Sequence, residues 1–244
     1  MGLRTAGKPL GFAPSMPRAV FSTGARCGVL VAIVVLVSGP GEADYRPFPL
    51  FELIATAELI VVGTIAEVND DTFRLKTTKV IRGTAADEIE IKRFIDWNGN
   101  DRWADYQRGQ ELLLFLFRES QSLEAAWLIL GAGGQGEMLF EGEAVYCHGL
   151  FLAGFPQKKY SVQGGQLTGY RFSREVFLAA VEEYSGCFRM KEGQSGKPRR
   201  LVKNCPDETL EAYRTRSALH RFLIDQSVQA ISRRQNQTGS PGEP

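Results

Sequence analysis

LIVVGTIAEV, residues 59–68, decides the fold of this chain. Its opening run is apolar and largely β-branched, which suits a buried strand better than a helix, where branched side chains lose rotamer freedom. Ahead of it, PLFELIATAE (49–58) reads as a short helix leading straight into that strand. Asn69-Asp70-Asp71 then makes a turn. TFRLKTTKVIRG (72–83) and DEIEIKRF (87–94) place apolar side chains at every second position, through Phe73 and Leu75 and through Ile89 and Ile91. That period gives each strand one face inward and one in water. QELLLFLF (110–117) is continuously apolar and predicts a central strand, and AAWLIL (125–130) follows a polar turn. The fold class expected is mainly β with C-terminal helices. Five strands with short connections predict a small OB-like barrel, closed or nearly so, over residues 44–132, because closure removes exposed edges.

The strand series AELIVVGTIAEV, FRLKTTKVIRG, DEIEIK and GQELLLFL resembles the exported bacterial relatives of the netrin-like domain, over roughly residues 50–132. That domain is the OB-fold barrel shared with tissue inhibitors of metalloproteinases. The resemblance implies a module that works by contact. Those inhibitors present an N-terminal cysteine to a target's zinc, and no cysteine stands between Asp44 and Tyr146 here, so inhibition by that route is not implied.

Upstream, CGVLVAIVVLV (27–37) is a short apolar core with Arg4, Lys8, Arg18 and Arg26 before it and Ala43 at a cleavage-like position. This is the layout of a secretory signal over residues 1–43, with Met1 or Met16 as the start. A span would need roughly 20 apolar residues, so the expectation is a secreted or periplasmic protein without a stable membrane span. The alternative is anchorage by an uncleaved N-terminal segment. Lys and Arg number 29 against 28 Asp and Glu, and the near balance gives no expectation of nucleic-acid binding. Residues 187–234 carry a basic excess, which marks either a patch for an anionic partner or a solvated face.

Beyond residue 131 the pattern loosens. Residues 133–186 read as a Gly- and aromatic-rich extension with one helix, FSREVFLAAVEEY, where Ser173 is placed to cap and Phe172 to staple onto Phe177. Residues 187–234 read as a basic loop and a second helix from about Asp207 to Arg233, and 235–244 as a disordered tail. Cys187 and Cys205 bracket a polar loop and are the natural disulfide in an oxidising compartment.

Several motifs bear on chemistry. Cys147 and His148 stand side by side in VYCHGL (145–150), but neighbours on an extended segment point to opposite faces and cannot easily work as nucleophile and base. Cys147 is expected to be buried and His148 to face polar surroundings. Cys147, His148, Cys187, Cys205 and His220 lack the close spacings of structural zinc, and no metal or cofactor is expected. GAGGQG (131–136) follows a strand but is not followed by a good helix, so a sheet bend explains it better than a nucleotide loop. GQSGKP (193–198) lacks the phosphate-loop hydroxyl, and Asp96, Asn98 and Asn100 begin a calcium-like spacing that Asp101 breaks. In the same loop Trp97, Arg102, Trp103 and Tyr106 form an aromatic-cationic group of the kind enriched at binding hot spots. The leading expectation is an exported, non-catalytic binding module whose partner is an unknown protein or small ligand in the cell envelope or outside the cell. The alternative is a cysteine- or metal-dependent enzyme centred on Cys147 and His148.

Overall fold

The computed structural model describes residues 48–94, 102–118, 126–131, 134–191 and 199–238, with side chains to 233. The expected signal over 1–43, Trp97, the calcium-like Asp96, Asn98, Asn100 and Asp101, and GQSGKP all lie outside the described residues. Residues 45–244 make one compact unit.

Helix α1 (Leu50–Thr56) is apolar almost all round and buries Leu50, Phe51, Leu53, Ile54 and Ala55. The strands are β1 (Leu59–Val68), β2 (Thr72–Arg82), β3 (Glu88–Lys92), β4 (Glu111–Phe117), β5 (Leu128–Ile129), β6 (Glu137–Glu141), β7 (Ala144–His148), β8 (Lys158–Val162) and β9 (Gly165–Ser173). Together they form a nine-stranded sheet in the order β3-β2-β1-β4-β6-β7-β9-β8, with β5 pairing β4 off that path. Every ladder is antiparallel.

The fold is thus mainly β with C-terminal helices, but the small five-stranded barrel expected, closed or nearly so, is corrected to a nine-stranded sheet that does not close. The cause lies on one edge of β4, which is divided between two partners. Leu116 and Phe117 pair with β5, whereas Glu111 to Leu114 pair with β6. At the changeover Leu130 donates its N–H to Phe115 O at 2.8 Å, and Phe115 donates to Gly136 O at 2.9 Å. Gly131, at φ +87°, turns the chain there and leaves β5 only two residues long. The sheet then runs on through β6–β9. Near β5 the chain also touches β3, the strand at the other end of the β4-β1-β2-β3 run. Trp127 makes a parallel bridge to Ile91, donating to Glu90 O at 2.9 Å and accepting from Lys92 N–H at 2.8 Å.

Strands β1, β4, β6 and β7 are buried on both faces, which is why their sequences lack clean alternation. Ile60, Val62, Leu113, Phe115, Met138, Phe140, Val145 and Cys147 enter one core with the helices. Leu59, Val61, Leu112, Leu114, Leu116, Leu139 and Tyr146 enter the other, with Phe73, Leu75, Ile89 and Ile91 from β2 and β3.

Helix α2 (Arg174–Cys187) follows β9 without a loop. The Phe172 and Phe177 rings stand 5.5 Å apart, as a staple requires. Ser173 makes no capping bond, contrary to expectation; it is the last residue of β9 and pairs with Ala144. Next comes a hairpin of β10 (Phe188–Lys191) and β11 (Arg200–Lys203), tied at its base by the Cys187–Cys205 disulfide. The single long helix expected from Asp207 is two, α3 (Asp207–Arg214) and α4 (Ala218–Thr238). Ser217 makes the break, since its Oγ accepts the His220 N–H at 3.3 Å and so starts a new helix. Residues 235–238, expected to belong to a disordered tail, are part of α4, which continues to Thr238, and residues 239–244 lie outside the described ones. Among the described residues no helix is long and apolar enough to cross a membrane.

Candidate functional site

Arg102 lies in the segment leading to β4, and the first residue of β6, Glu137, sits opposite it with no exposed surface. The guanidinium donates to Glu137 Oε1 from Nε at 3.0 Å and from Nη2 at 2.6 Å. Nη2 also reaches Gln110 Oε1 at 2.9 Å, and Nη1 donates to the Ala104 carbonyl. The second carboxylate oxygen accepts the Tyr106 hydroxyl at 3.0 Å, and that hydroxyl accepts the Phe94 N–H at 3.2 Å. Cζ also lies over the Trp103 and Tyr106 rings, 3.9 and 3.8 Å from their centroids. This is a buried ion pair whose cation also meets two π faces. Burial first, and the Glu137 charge second, push the Tyr106 phenol far above its ordinary range.

Arg102, Trp103 and Tyr106 are each under 10% exposed. Arg102, Trp103 and Tyr106, three of the four residues read as a binding group, are therefore turned inward, because Glu137 supplies a buried counter-charge that nothing local in the loop announces. Sequence reading missed Glu137 and Gln110. The one available signal was an acid standing in the otherwise apolar GEMLF.

His148 adjoins this cluster. Its ring meets Trp103 edge-on at 4.9 Å and lies against Gly134, where a Cβ would come within 2.0 Å of Cε1. The expectation that His148 faces polar surroundings is corrected: it is 7% exposed, because both faces of β7 are covered. Desolvation, with the Arg102 charge adding to it, lowers its pKa to about 4. Cys147 points the other way into the helix-side core, fully buried, and burial pushes its thiol well above the usual value. The two neighbours therefore diverge as expected. Neither is placed to activate the other, and a thiolate is disfavoured.

This geometry fixes a pH dependence. An unfolded histidine titrates near 6.5, whereas folded His148 stays neutral down to about pH 4. Between those values the unfolded chain binds a proton that the folded chain refuses, so stability present above pH 6.5 is lost as pH falls. The loss is about 3 kcal/mol by linkage. His220, whose pKa is also lowered chiefly by burial, adds a slope of the same sign. The measurement is therefore a difference: urea unfolding of the wild type and His148→Gln at pH 7.5 and 4.5. The gap between the two pH values should shrink by most of that amount in the variant, and an unchanged gap would contradict a buried neutral His148.

Elsewhere, His220 at the start of α4 contacts Ser217 Oγ through Nδ1 at 2.7 Å and has Glu183 Oε2 3.2 Å from Nε2. Arg216 also pairs with Glu183. Ser217 is already engaged as the helix cap. Among the described residues no three His, Cys, Asp or Glu side chains are grouped to hold a metal. A concave feature open to solvent lies at the edge where β8 meets β9. It is a groove of about 280 Å³ with walls from Phe155, Tyr160 and Phe172 and two cations, Lys158 and Arg171. Comparison with protein-family models, curated proteins and solved structures finds no match to the chain.

Proposed function

We propose that the chain is an exported, non-catalytic binding module that engages its partner at the groove between β8 and β9. The groove carries this reading: a solvent-open concavity where aromatic walls stand beside cations is equipped to hold a ligand, whereas the Arg102 cluster is spent on internal contacts. The competing reading, an enzyme centred on Cys147 and His148, needs an accessible thiolate beside a usable base. A fully buried cysteine and a divergent, neutral histidine disfavour it.

The OB-like barrel belongs to the same proposal. Pairings β1–β2, β2–β3, the bridge from β3 to Trp127, β5–β4 and β4–β1 run round a ring. Such a path fits a partly open five-stranded barrel. In this reading the netrin-like resemblance describes the first half of the sheet, and β6–β9 with the helices form an added face that carries the groove.

Thiol labelling of the native full-length chain tests the choice between binding and catalysis. Cys147 should resist a soluble maleimide at pH 7.5 until denaturant is added. Rapid native labelling together with a stoichiometric metal by elemental analysis would favour the enzyme. Export is tested separately by N-terminal sequencing of the envelope fraction, where the chain should begin near Asp44.

A further inference from the structure

The groove exists because β8 stops early, and one residue explains where. The β8–β9 ladder runs from Val162↔Gly165 to Lys158↔Gly169. Continuing the register would set Pro156 opposite Arg171. On the other side of β9, Arg174 donates its N–H to Glu143 O at 2.9 Å, and the β7–β9 register then makes Phe172↔Val145 and Tyr170↔Cys147 the hydrogen-bonded pairs. Alternation along a strand turns the backbone of Arg171 toward the vacated side. A proline there has no N–H to offer the Arg171 carbonyl. The chain peels away before Lys158, and β9 is left with a bare edge beside Tyr170, Arg171 and Phe172.

Charge adds a second, independent observation. Some surface cations find carboxylates, as in Arg74–Glu67, Lys79–Glu182, Arg174–Glu111 and Arg214–Asp225, and others such as Lys76 and Lys159 do not among the described residues. Lys158 and Arg171 have no ion-pair partner among the described residues, and both line the groove. Gly169, the partner of Lys158, is two positions from Arg171, so the two cations project from the same face of the sheet. Lys159, opposite Thr168, projects from the other face. The groove, of about 280 Å³, is open to solvent and runs beside the bare edge of β9, which suits a short length of extended chain.

We propose that the groove is a docking site for an extended acidic peptide segment of a partner protein, which adds as a short strand beside β9 in the place β8 vacates. This rests on the binding-module reading above. Main-chain bonds to the Arg171 edge would give register, a carboxylate would meet Lys158 and Arg171, and an apolar side chain of the peptide would lie against the Phe155 and Phe172 rings, which meet edge to face at 5.5 Å. The same cations discourage a second copy of this basic edge from pairing with it.

The test uses the full-length chain and a fluorescein-labelled eight-residue peptide alternating Glu and Val, read by fluorescence anisotropy. An alternating Lys and Val peptide and an acidic oligosaccharide, oligogalacturonate, serve as comparison probes. The acidic peptide should bind saturably, and Lys158→Glu and Arg171→Glu should each weaken it by roughly tenfold or more. Lys159→Glu, with the same change in net charge on the other face, should leave it within about twofold. Equal losses in all three variants would mean unspecific attraction and overturn the proposal. So would saturable binding of the oligosaccharide alone; that result, lost in Arg171→Glu, would leave the binding module standing and assign the groove to sugar acids. If no probe saturates up to ~1 mM, the peptide assignment falls. Native labelling of Cys147 in the separate experiment would then decide whether the binding reading falls with it.

Discussion

Replacing Arg102 with methionine should cost about 3–5 kcal/mol of unfolding free energy, the range found when one member of a buried ion pair is removed. Methionine keeps most of the side-chain length and lets Trp103 and Tyr106 close on an apolar group, so the loss is not mainly a cavity. What it leaves is the Glu137 carboxylate, with no exposed surface and only the Tyr106 hydroxyl still bonded to it among the partners described above. Gln110 also loses the donor to its Oε1. The second arm is the double variant Arg102→Met with Glu137→Gln, which removes the stranded charge yet keeps an acceptor for Tyr106. It should be more stable than Arg102→Met alone by about 1–3 kcal/mol, since the uncompensated charge is the larger cost. Urea unfolding at pH 7.5 reads both. A single variant within about 1 kcal/mol of wild type, or a double variant worse than the single by the full cost of each change, would show that the pair is not the strut its geometry describes.

That pair also shows where sequence reading stops. The strands β1, β2, β3 and β4 were legible because each carries its own local signal: alternation at Phe73-Leu75 and Ile89-Ile91, or an unbroken apolar run in LIVV and LLLFLF. The disulfide was legible because only two cysteines bracket a polar loop. Strands β6 and β7 were hidden for a physical reason. EMLFEGEAVYCH buries both faces of two short strands around the Gly142 turn, so neither period two nor a long apolar run survives in it. Missing them made the expected barrel close too early. The divergence of Cys147 and His148 followed from strand geometry alone, but the burial of His148 needed the Trp103 ring and Gly134, which other segments bring against it and which were not visible from VYCHGL. The groove was equally out of reach. Pro156 stands in LAGFPQKKY with no local sign that Arg171 lies opposite, and only the register of β8 on β9 puts them together.

Arg82, the last residue of β2, leads to the other large effect. It is 9% exposed, and no carboxylate is among its hydrogen-bond acceptors. Its Nη1 donates to the Ile54 carbonyl and reaches Ala57 O at 3.4 Å, while Nη2 donates to Ser185 O at 2.7 Å and Phe188 O at 2.9 Å. These four acceptors are the C-terminal ends of α1 and α2, the carbonyls a helix cannot satisfy for itself. Neither helix has a basic residue in its last turn. One guanidinium from the sheet therefore supplies the cation that both negative helix ends favour. Burial and the nearby Arg189 lower its pKa to about 10, which still leaves it charged at neutral pH. Arg82→Met should leave the four carbonyls short of a donor and cost about 3–5 kcal/mol, the equivalent of two of them left without any partner at roughly 1–3 kcal/mol each. Arg82→Lys should recover less than half of that, because a single ammonium cannot span two helix ends as a planar fork does. Hydrogen exchange locates the damage: amides of α1 and the last turns of α2 should lose protection in Arg82→Met before those of β1 and β4. If lysine restores wild-type stability, or if protection falls evenly across the sheet, the clamp between the two helices is not what Arg82 provides.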